Sequence, residues 1–384
     1  MQRVVIIGGG QAGAHGAMHL RARGFMGEIH LVHAEPGLPY QRPPLSKTFI
    51  LDESPPESLD FRPAGFYEKE RITLHPTKAV AIDRARGEVQ LGDGTGLAYD
   101  ALILALGAAP RPLPGAPSSL LMLRTREDAL RLRPRIAASR EVLIVGGGFI
   151  GCELAAALAG AGRKVRLIEA QDEVMQGRVS PLTARLLREA LEAEGVEVLR
   201  AARIAAWDED GLGVRLADGR ALRADLLLAA TGVAPETALA AEAGLAVSPS
   251  GIEAGADFRI LDPAIFAVGD CVFAHNLFAG GPVRLESVQH ATDSARHVAE
   301  LLLGASAPYR KVPWFWSDQG KRRLQIAGLI AGCDAFRIEG DPGAMSFSVY
   351  GYRGEELRCV ESVNRPADHI RARKALTEAL DAAS

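Results

Sequence analysis

The chain has only four cysteines in 384 residues, Cys152, Cys271, Cys333 and Cys359, and none stands in a C-x-x-C or C-x(4)-C pair. That spacing excludes the redox dithiol with which a disulfide reductase works beside a flavin, and leaves each thiol as a small buried side chain. No apolar run approaches the roughly 20 residues needed to cross a bilayer, so no membrane association is expected. The first residues enter a strand directly, without a basic segment and a following apolar stretch. No export signal is therefore expected, and the expected compartment is cytoplasmic. The formal net charge of −3 argues against nucleic-acid binding through bulk electrostatics. His15 and His19 are spaced to share a helix face, but no H-E-x-x-H and no third ligand accompanies them, so no metal is expected.

What the chain has in quantity is apolar side chains and glycine: 48% hydrophobic residues and 41 Gly, the texture of a many-turned α/β protein of two or three domains. The glycines are concentrated where they matter. Val4 to Ile7 runs into Gly8-Gly9-Gly10-Gln11-Ala12-Gly13, and Val142 to Val145 runs into Gly146-Gly147-Gly148-Phe149-Ile150-Gly151. Each is an apolar strand, a G-x-G-x-x-G loop and a helix-length stretch. A second apolar strand follows, ending near an acid, Glu35 in the first copy and Glu169 in the second. The physical need is the same in both: a tight turn, close backbone approach to a pyrophosphate, a helix N-terminus facing the anion, and a carboxylate to grip a ribose. Two copies specify two dinucleotides on one polypeptide.

Between the copies, residues 36–63 form a proline-dense stretch carrying Pro39-Tyr40-Gln41-Arg42-Pro43-Pro44-Leu45-Ser46-Lys47. A loop of that length inside a compact domain is usually functional. Strands are expected at 72–74, 79–82 and 88–91, and the apolar strand 101–106 ends in Gly107. The second copy repeats the plan. A small meander follows it, turning at Asp218-Gly219, and a buried strand, 225–229, precedes Thr231-Gly232. The chain returns to the first plan through Ile265-Phe266-Ala267-Val268-Gly269-Asp270, so one nucleotide domain is inserted into another. From Tyr309 the texture becomes short strands and aromatics, with 12 Lys and Arg against 10 Asp and Glu in residues 309–384. The tail is the basic part of an otherwise acidic chain.

These fingerprints, the Pro39 to Lys47 segment, Thr231-Gly232, Ile265 to Asp270, Trp316-Ser317-Asp318-Gln319 and Leu324-Gln325-Ile326-Ala327-Gly328 together resemble the FAD- and NADH-dependent ferredoxin reductases of bacterial cytochrome P450 and Rieske dioxygenase systems. The resemblance spans essentially the whole chain. It implies the glutathione-reductase fold: α/β, with two Rossmann-like dinucleotide-binding domains, the NAD domain inserted in the FAD domain, plus a small α+β C-terminal domain. The implied boundaries are 1–110 and 236–308 for FAD, 111–235 for NAD and 309–384 for the C-terminal interface domain.

Carried over residue by residue, the resemblance gives Gly8, Gly10, Gly13 and Ala14 to the FAD pyrophosphate and Glu35 to the adenosine ribose. It also assigns Arg42, Val80 and Arg124 to FAD, Lys47 to the isoalloxazine, Asp270 to the ribityl chain, and Val288, at a helix start, to the flavin's C2 carbonyl end. Gly146, Gly148, Phe149, Ile150, Gly151, Glu169 and Gly232 fall to NAD. Glu153 would pair with Lys47 near the nicotinamide, although helical periodicity alone makes it an ordinary solvated residue. Trp316 would stand beside the flavin's exit edge, flanked by Arg310, Lys311, Lys321, Arg322 and Arg323 as a basic docking surface for an acidic [2Fe-2S] ferredoxin or a rubredoxin. The implied reaction is hydride transfer from NADH to FAD and single-electron delivery to the iron protein. Two alternatives stay open: an NADH oxidoreductase acting on a small-molecule acceptor, and an NADH-sensing flavoprotein resembling apoptosis-inducing factor.

Overall fold

The computed structural model describes residues 1–382, and the chain divides into two compact units. The first comprises residues 1–42, 56–109 and 234–313, and the second residues 43–55, 110–233 and 314–384. The first unit is built on a five-stranded parallel sheet in the spatial order Ile265–Ala267, Ala101–Leu104, Arg3–Ile7, Glu28–Val32, Ile72–His75. Its strands read as near-continuous aliphatic runs because both faces are covered, as parallel strands require. Val4, Val5, Ile6, Leu102 and Ile265 have no exposed surface. The helices Gln11–Ala22 and Val288–Leu302 pack on this sheet and on one another.

The second unit contains a second parallel sheet, Glu197–Leu199, Lys164–Ile168, Glu141–Val145, Leu226–Ala229, Leu121–Met122, whose first four strands follow the plan of the first sheet, while its outer strand Leu121–Met122 precedes the fingerprint in the chain where Ile265–Ala267 follows it. Each sheet is accompanied by a three-stranded antiparallel meander, Ala79–Asp83 to Gly96–Ala98 in the first unit and Ile204–Trp207 to Ala221–Arg223 in the second. The internal repeat therefore extends beyond the glycine loops to four strands and the meander of each half. In both sheets the direction of winding reverses beside the strand that carries the fingerprint, which opens a crevice at the carboxyl ends of the strands.

Local chemistry sets the helix starts. Thr125 and Asp128 form a reciprocal capping box at Arg126–Ala138, and Ser180 caps Pro181–Ala193, whose first residue is a proline already fixed at a helical φ. The second unit closes with an antiparallel sheet ordered Trp314–Gln319, Arg322–Gly328, Glu356–Val363, Ser346–Arg353, Ala335–Asp341. The helix Pro366–Ala382 packs on it through Ala372 and Leu376. No helix among the described residues is long and apolar enough to cross a membrane.

Candidate functional site

In the first unit the loop after Arg3–Ile7 turns at Gly8, whose φ of +119° and 2.1 Å clearance from the Ala105 carbonyl would admit no side chain. A methyl group on Gly13 would lie 1.8 Å from the Gly8 carbonyl, so the helix can approach the strand only with glycine there. At Gly10, by contrast, a methyl group would meet nothing within 4 Å. Gly10 is the N-cap of Gln11–Ala22 and offers no capping side chain, and the first turn has no acid. The leading N–H groups are left for an external anion in an open cradle, which fits a pyrophosphate. Ala14, fully buried, lies on the packed side of this helix.

The acid expected at the ribose, Glu35, is met by the guanidinium of Arg42 and by the Tyr40 hydroxyl at 2.5 Å. Glu35 and Arg42, predicted separately, are thus brought together, and Tyr40 joins them as a residue that sequence reasoning passed over. Asp270 sits in the short turn Gly269–Cys271. A methyl group on Gly269 would come within 3.1 Å of Ala12 and 3.7 Å of Ala291, so this turn meets the starts of both helices. Val288 opens Val288–Leu302. The Ser287 hydroxyl accepts from the His290 N–H at 3.0 Å, which leaves the N–H groups of Val288 and Gln289 outside the helical ladder. Val80 is about half exposed, on Ala79–Asp83.

The second unit repeats the cradle. A methyl group on Gly146, at φ +105°, would lie 2.5 Å from the Ala230 carbonyl and one on Gly151 1.9 Å from the Gly146 carbonyl, while Gly148 is open and uncapped. The carboxylate of Glu169 accepts from the N–H groups of Gly147 and Gln171, each at 2.7 Å, so the acid expected at the ribose is held on the loop itself. Phe149 packs against Phe315 with ring centroids 4.6 Å apart, Ile150 is exposed, and Gly232 has a φ of +84°. Arg124 precedes the Thr125 cap, its N–H donating to Asp128.

The proline-rich segment 43–55 also belongs to this unit. Arg133 lies 3.7 Å over the Phe49 ring and donates to the carbonyls of Phe49 and Ser54, while Leu45, Phe49 and Ile50 are buried. This clamp presents Ser46 and Lys47 to the helix Phe149–Gly160. There Glu153 is 4% exposed, which corrects the solvated reading drawn from periodicity. One oxygen of Glu153 accepts from Ser46 Oγ at 2.6 Å. The other accepts from Ser317 Oγ at 2.8 Å and the Asp318 N–H at 3.1 Å, with Lys47 Nζ at 3.8 Å. Burial pushes its carboxyl above the ordinary range, against the pull of Lys47 and the three donors. Lys47 Nζ donates to Asp318 at 2.7 Å and lies 5.5 Å from the Trp316 ring centroid. The three residues expected at the reaction centre, Lys47, Glu153 and Trp316, are therefore neighbours. Ser46, Ser317 and Asp318 join them, each adjacent in sequence to a residue or motif already singled out.

Among the cations expected at a docking surface, Arg322 departs from expectation. It is 6% exposed and makes a two-pronged pair with Glu194, each arm 2.7 Å, so it is a structural residue rather than a surface charge. Lys321 and Arg323 are exposed. Of the cysteines, Cys152, Cys271 and Cys359 are buried, and burial pushes all three thiols up, Cys271 to about 11. His19 pairs with Glu300 at 2.7 Å while His15 packs edge-on to Phe61, so the two imidazoles serve different partners.

Residues 2–295 match the family model described as pyridine nucleotide-disulphide oxidoreductase, and residues 314–383 match the reductase C-terminal model. Rhodocoxin reductase of Rhodococcus erythropolis is 43% identical over 97% of this chain and 89% of its own length. A rubredoxin-NAD(+) reductase of Pseudomonas putida is 39% identical over 94% of this chain and 96% of its own. Among solved structures, the ferredoxin reductase for the CYP199A2 system from Rhodopseudomonas palustris superposes with a TM-score of 0.94 at 39% identity, covering 96% of this chain and 93% of that one. The covalent putidaredoxin reductase–putidaredoxin complex does so with a TM-score of 0.94 at 35% identity, covering 98% and 93%.

Proposed function

The chain belongs to the pyridine nucleotide-disulphide oxidoreductase family and carries a reductase C-terminal domain, and from that premise we propose the work of each part. It is an FAD-dependent NADH oxidoreductase that passes electrons to a small iron–sulfur protein, a [2Fe-2S] ferredoxin or a rubredoxin, of the kind that feeds a cytochrome P450 or a ring-hydroxylating dioxygenase. When bound, the flavin supplies the conversion of a two-electron hydride donor into a one-electron donor. Everything else falls to the residues of the chain.

In this proposal segments 1–110 and 236–308 hold FAD, with Gly8, Gly10 and Gly13 cradling the pyrophosphate, Glu35 and Arg42 at the ribose, and Asp270 and Val288 toward the flavin. Residues 111–235 hold NADH on Gly146, Gly148 and Gly151, and Glu169 accepts from the 2′-hydroxyl and repels a 2′-phosphate. Residues 309–384 serve the acceptor, with Lys321 and Arg323 as steering cations and Arg322 removed from that role. One observation carries the reading: the C-terminal sheet delivers Trp316, Ser317 and Asp318 to the same cluster as Glu153 of the NAD-side helix and Lys47 of the proline-rich segment. The three sequence regions that matter for taking and passing electrons converge there. The reduced, unpaired thiols and the use of NADH support a cytoplasmic setting.

The test is anaerobic reduction of the FAD-loaded protein by NADH, followed by cytochrome c reduction with and without a panel of ferredoxins and rubredoxins. Bleaching by NADH and strong dependence on one of the iron proteins is the expected outcome. Bleaching with rapid turnover of a quinone and no response to any iron protein would favour the small-molecule reading. Slow reoxidation by every acceptor, with a change of assembly on reduction, would favour the sensing one.

A further inference from the structure

The cluster around Glu153 contains one relationship that the family resemblance did not supply. Lys47 and Glu153, expected to be partners, are 3.8 Å apart at their nearest polar atoms, which is attraction without a hydrogen bond. The short contact of the lysine is with Asp318, at 2.7 Å, within the range of a charge-assisted hydrogen bond. Glu153 is already supplied by two hydroxyls and a backbone N–H. Trp316 and Asp318 are two apart on the strand Trp314–Gln319, so they share a face of the sheet, and both meet Lys47, one through its ring and one through its carboxylate. The other oxygen of Asp318 stands 3.8 Å from Nε of Arg323, which is largely exposed.

We propose that Asp318 is the positioning residue of Lys47: its carboxylate, delivered by the C-terminal sheet, holds the ammonium against Trp316 and so sets where that charge stands when the flavin is reduced. Glu153 is the buried base of the cluster, fixed by Ser46 and Ser317, and does not anchor the lysine. The C-terminal domain thereby takes part in accepting electrons from NADH as well as in meeting the acceptor. Arg323, on the far side of the same carboxylate, ties a surface cation to the lysine through a single acid. This inference rests on the proposed placing of Lys47 beside the flavin, and its test separates the two.

The experiment uses the FAD-loaded protein and two readouts. The first is the rate at which acetic anhydride acetylates Lys47, followed by peptide mass spectrometry with exposed Lys321 as the internal reference. Asp318→Asn is expected to raise that rate about tenfold by releasing the ammonium from a charged hydrogen bond. Asp318→Glu is expected to bring it back toward wild type, and Ser317→Ala, which removes a hydroxyl that donates to Glu153, to leave it unchanged. The second is stopped-flow flavin reduction by NADH, in which Asp318→Asn is expected to lower the limiting rate with the dependence on NADH concentration preserved. Unchanged Lys47 labelling in a folded Asp318→Asn protein, or an equal rise in Glu153→Gln, would overturn the proposal. If Asp318→Asn does not fold, Asp318→Ser is read by the same criteria. A wild-type protein whose flavin NADH does not bleach would overturn the proposed function and leave the labelling comparison standing.

Discussion

The carboxylate of Glu361 accepts both the backbone N–H and the hydroxyl of Ser180, each at 2.6 Å, while the same hydroxyl accepts from the Thr183 N–H to cap the helix Pro181–Ala193. An acid in the C-terminal sheet is thus the partner of a helix cap beside the second parallel sheet. Glu361 is 1% exposed, and burial raises its carboxyl above the ordinary range, opposed by Ser180 and Thr183.

Two consequences follow for stability. Glu361→Ala leaves buried donors unmatched and is expected to destabilise the fold by about 2–4 kcal/mol, measured by denaturant unfolding. Because the folded acid is the weaker one, the native state holds its proton over a window in which the unfolded chain has released it. The Glu361 contribution therefore declines as pH rises from the ordinary glutamate value through the raised one. Glu361→Gln is expected to lose that decline, and an unaltered slope would show that the pair does not titrate with folding.

His290 gives the opposite sign. It is buried at the start of Val288–Leu302, its Nε2 has no partner, and burial lowers it to about 4. Above pH 6.5 both states are neutral. Below it the unfolded imidazole takes a proton that the folded one refuses, so stability is lost as pH falls from about 6.5 to about 4, by up to roughly 3 kcal/mol. His290→Asn is expected to flatten this limb of the unfolding profile. A variant as acid-sensitive as wild type would assign the limb to other groups.

Coenzyme choice is expected to depend on Glu169, and its place on the glycine loop sharpens the outcome. Glu169→Ala removes the brace on the Gly147 N–H and, with Glu169 at the ribose as proposed, an acceptor for its 2′-hydroxyl and a repulsion toward a 2′-phosphate. The ratio of kcat/KM for NADH over NADPH is expected to fall by about 1–3 kcal/mol equivalent, with KM for NADH raised as well. An unchanged ratio would place selectivity elsewhere.

Charge reversal on the C-terminal sheet separates steering from structure. Lys321→Glu is expected to leave NADH–ferricyanide turnover intact and to lower ferredoxin-dependent cytochrome c reduction, most at low salt. Arg322→Ala is expected to lower Tm and both activities together, because it breaks the pair with Glu194. Equal behaviour of the two variants in both assays would show that Lys321 does not meet the partner.

The two parallel sheets and their glycine loops were legible because parallel strands must be apolar throughout and a pyrophosphate cradle must be glycine. Gly8, Gly13, Gly146 and Gly151 are required by contacts with backbone carbonyls that any chain of this fold would make. Glu153 was not legible from its own helix: Phe149–Gly160 is so alanine-rich that no polar face competes with it, and what buries the acid arrives from residues 46 and 317. Arg322 was misread for a related reason. A run of cations looks solvated until one of them finds an acid more than a hundred residues earlier, at Glu194. The length and proline content of residues 36–63 suggested a functional loop, but proline content alone could not say that Arg133 would clamp it at Phe49 and Ser54.

That clamp has a consequence for how the protein is made. Because residues 43–55 complete the second unit, the chain leaves the first unit after Arg42, comes back at Pro56, leaves again after Ala109, returns at Ala234 and departs for good after Pro313. Neither unit is a continuous stretch of polypeptide. A ribosome that has released the second glycine loop has delivered only part of either body, the first remains open until its third segment emerges, and the second waits for the C-terminal sheet. The aliphatic strands made earliest are therefore held longest without their neighbours, and the contacts that close each unit are long-range ones, the kind that slows folding. It also means that removing the last seventy residues takes Ser317 and Asp318 from Glu153 and Glu361 from Ser180 rather than trimming an appendage.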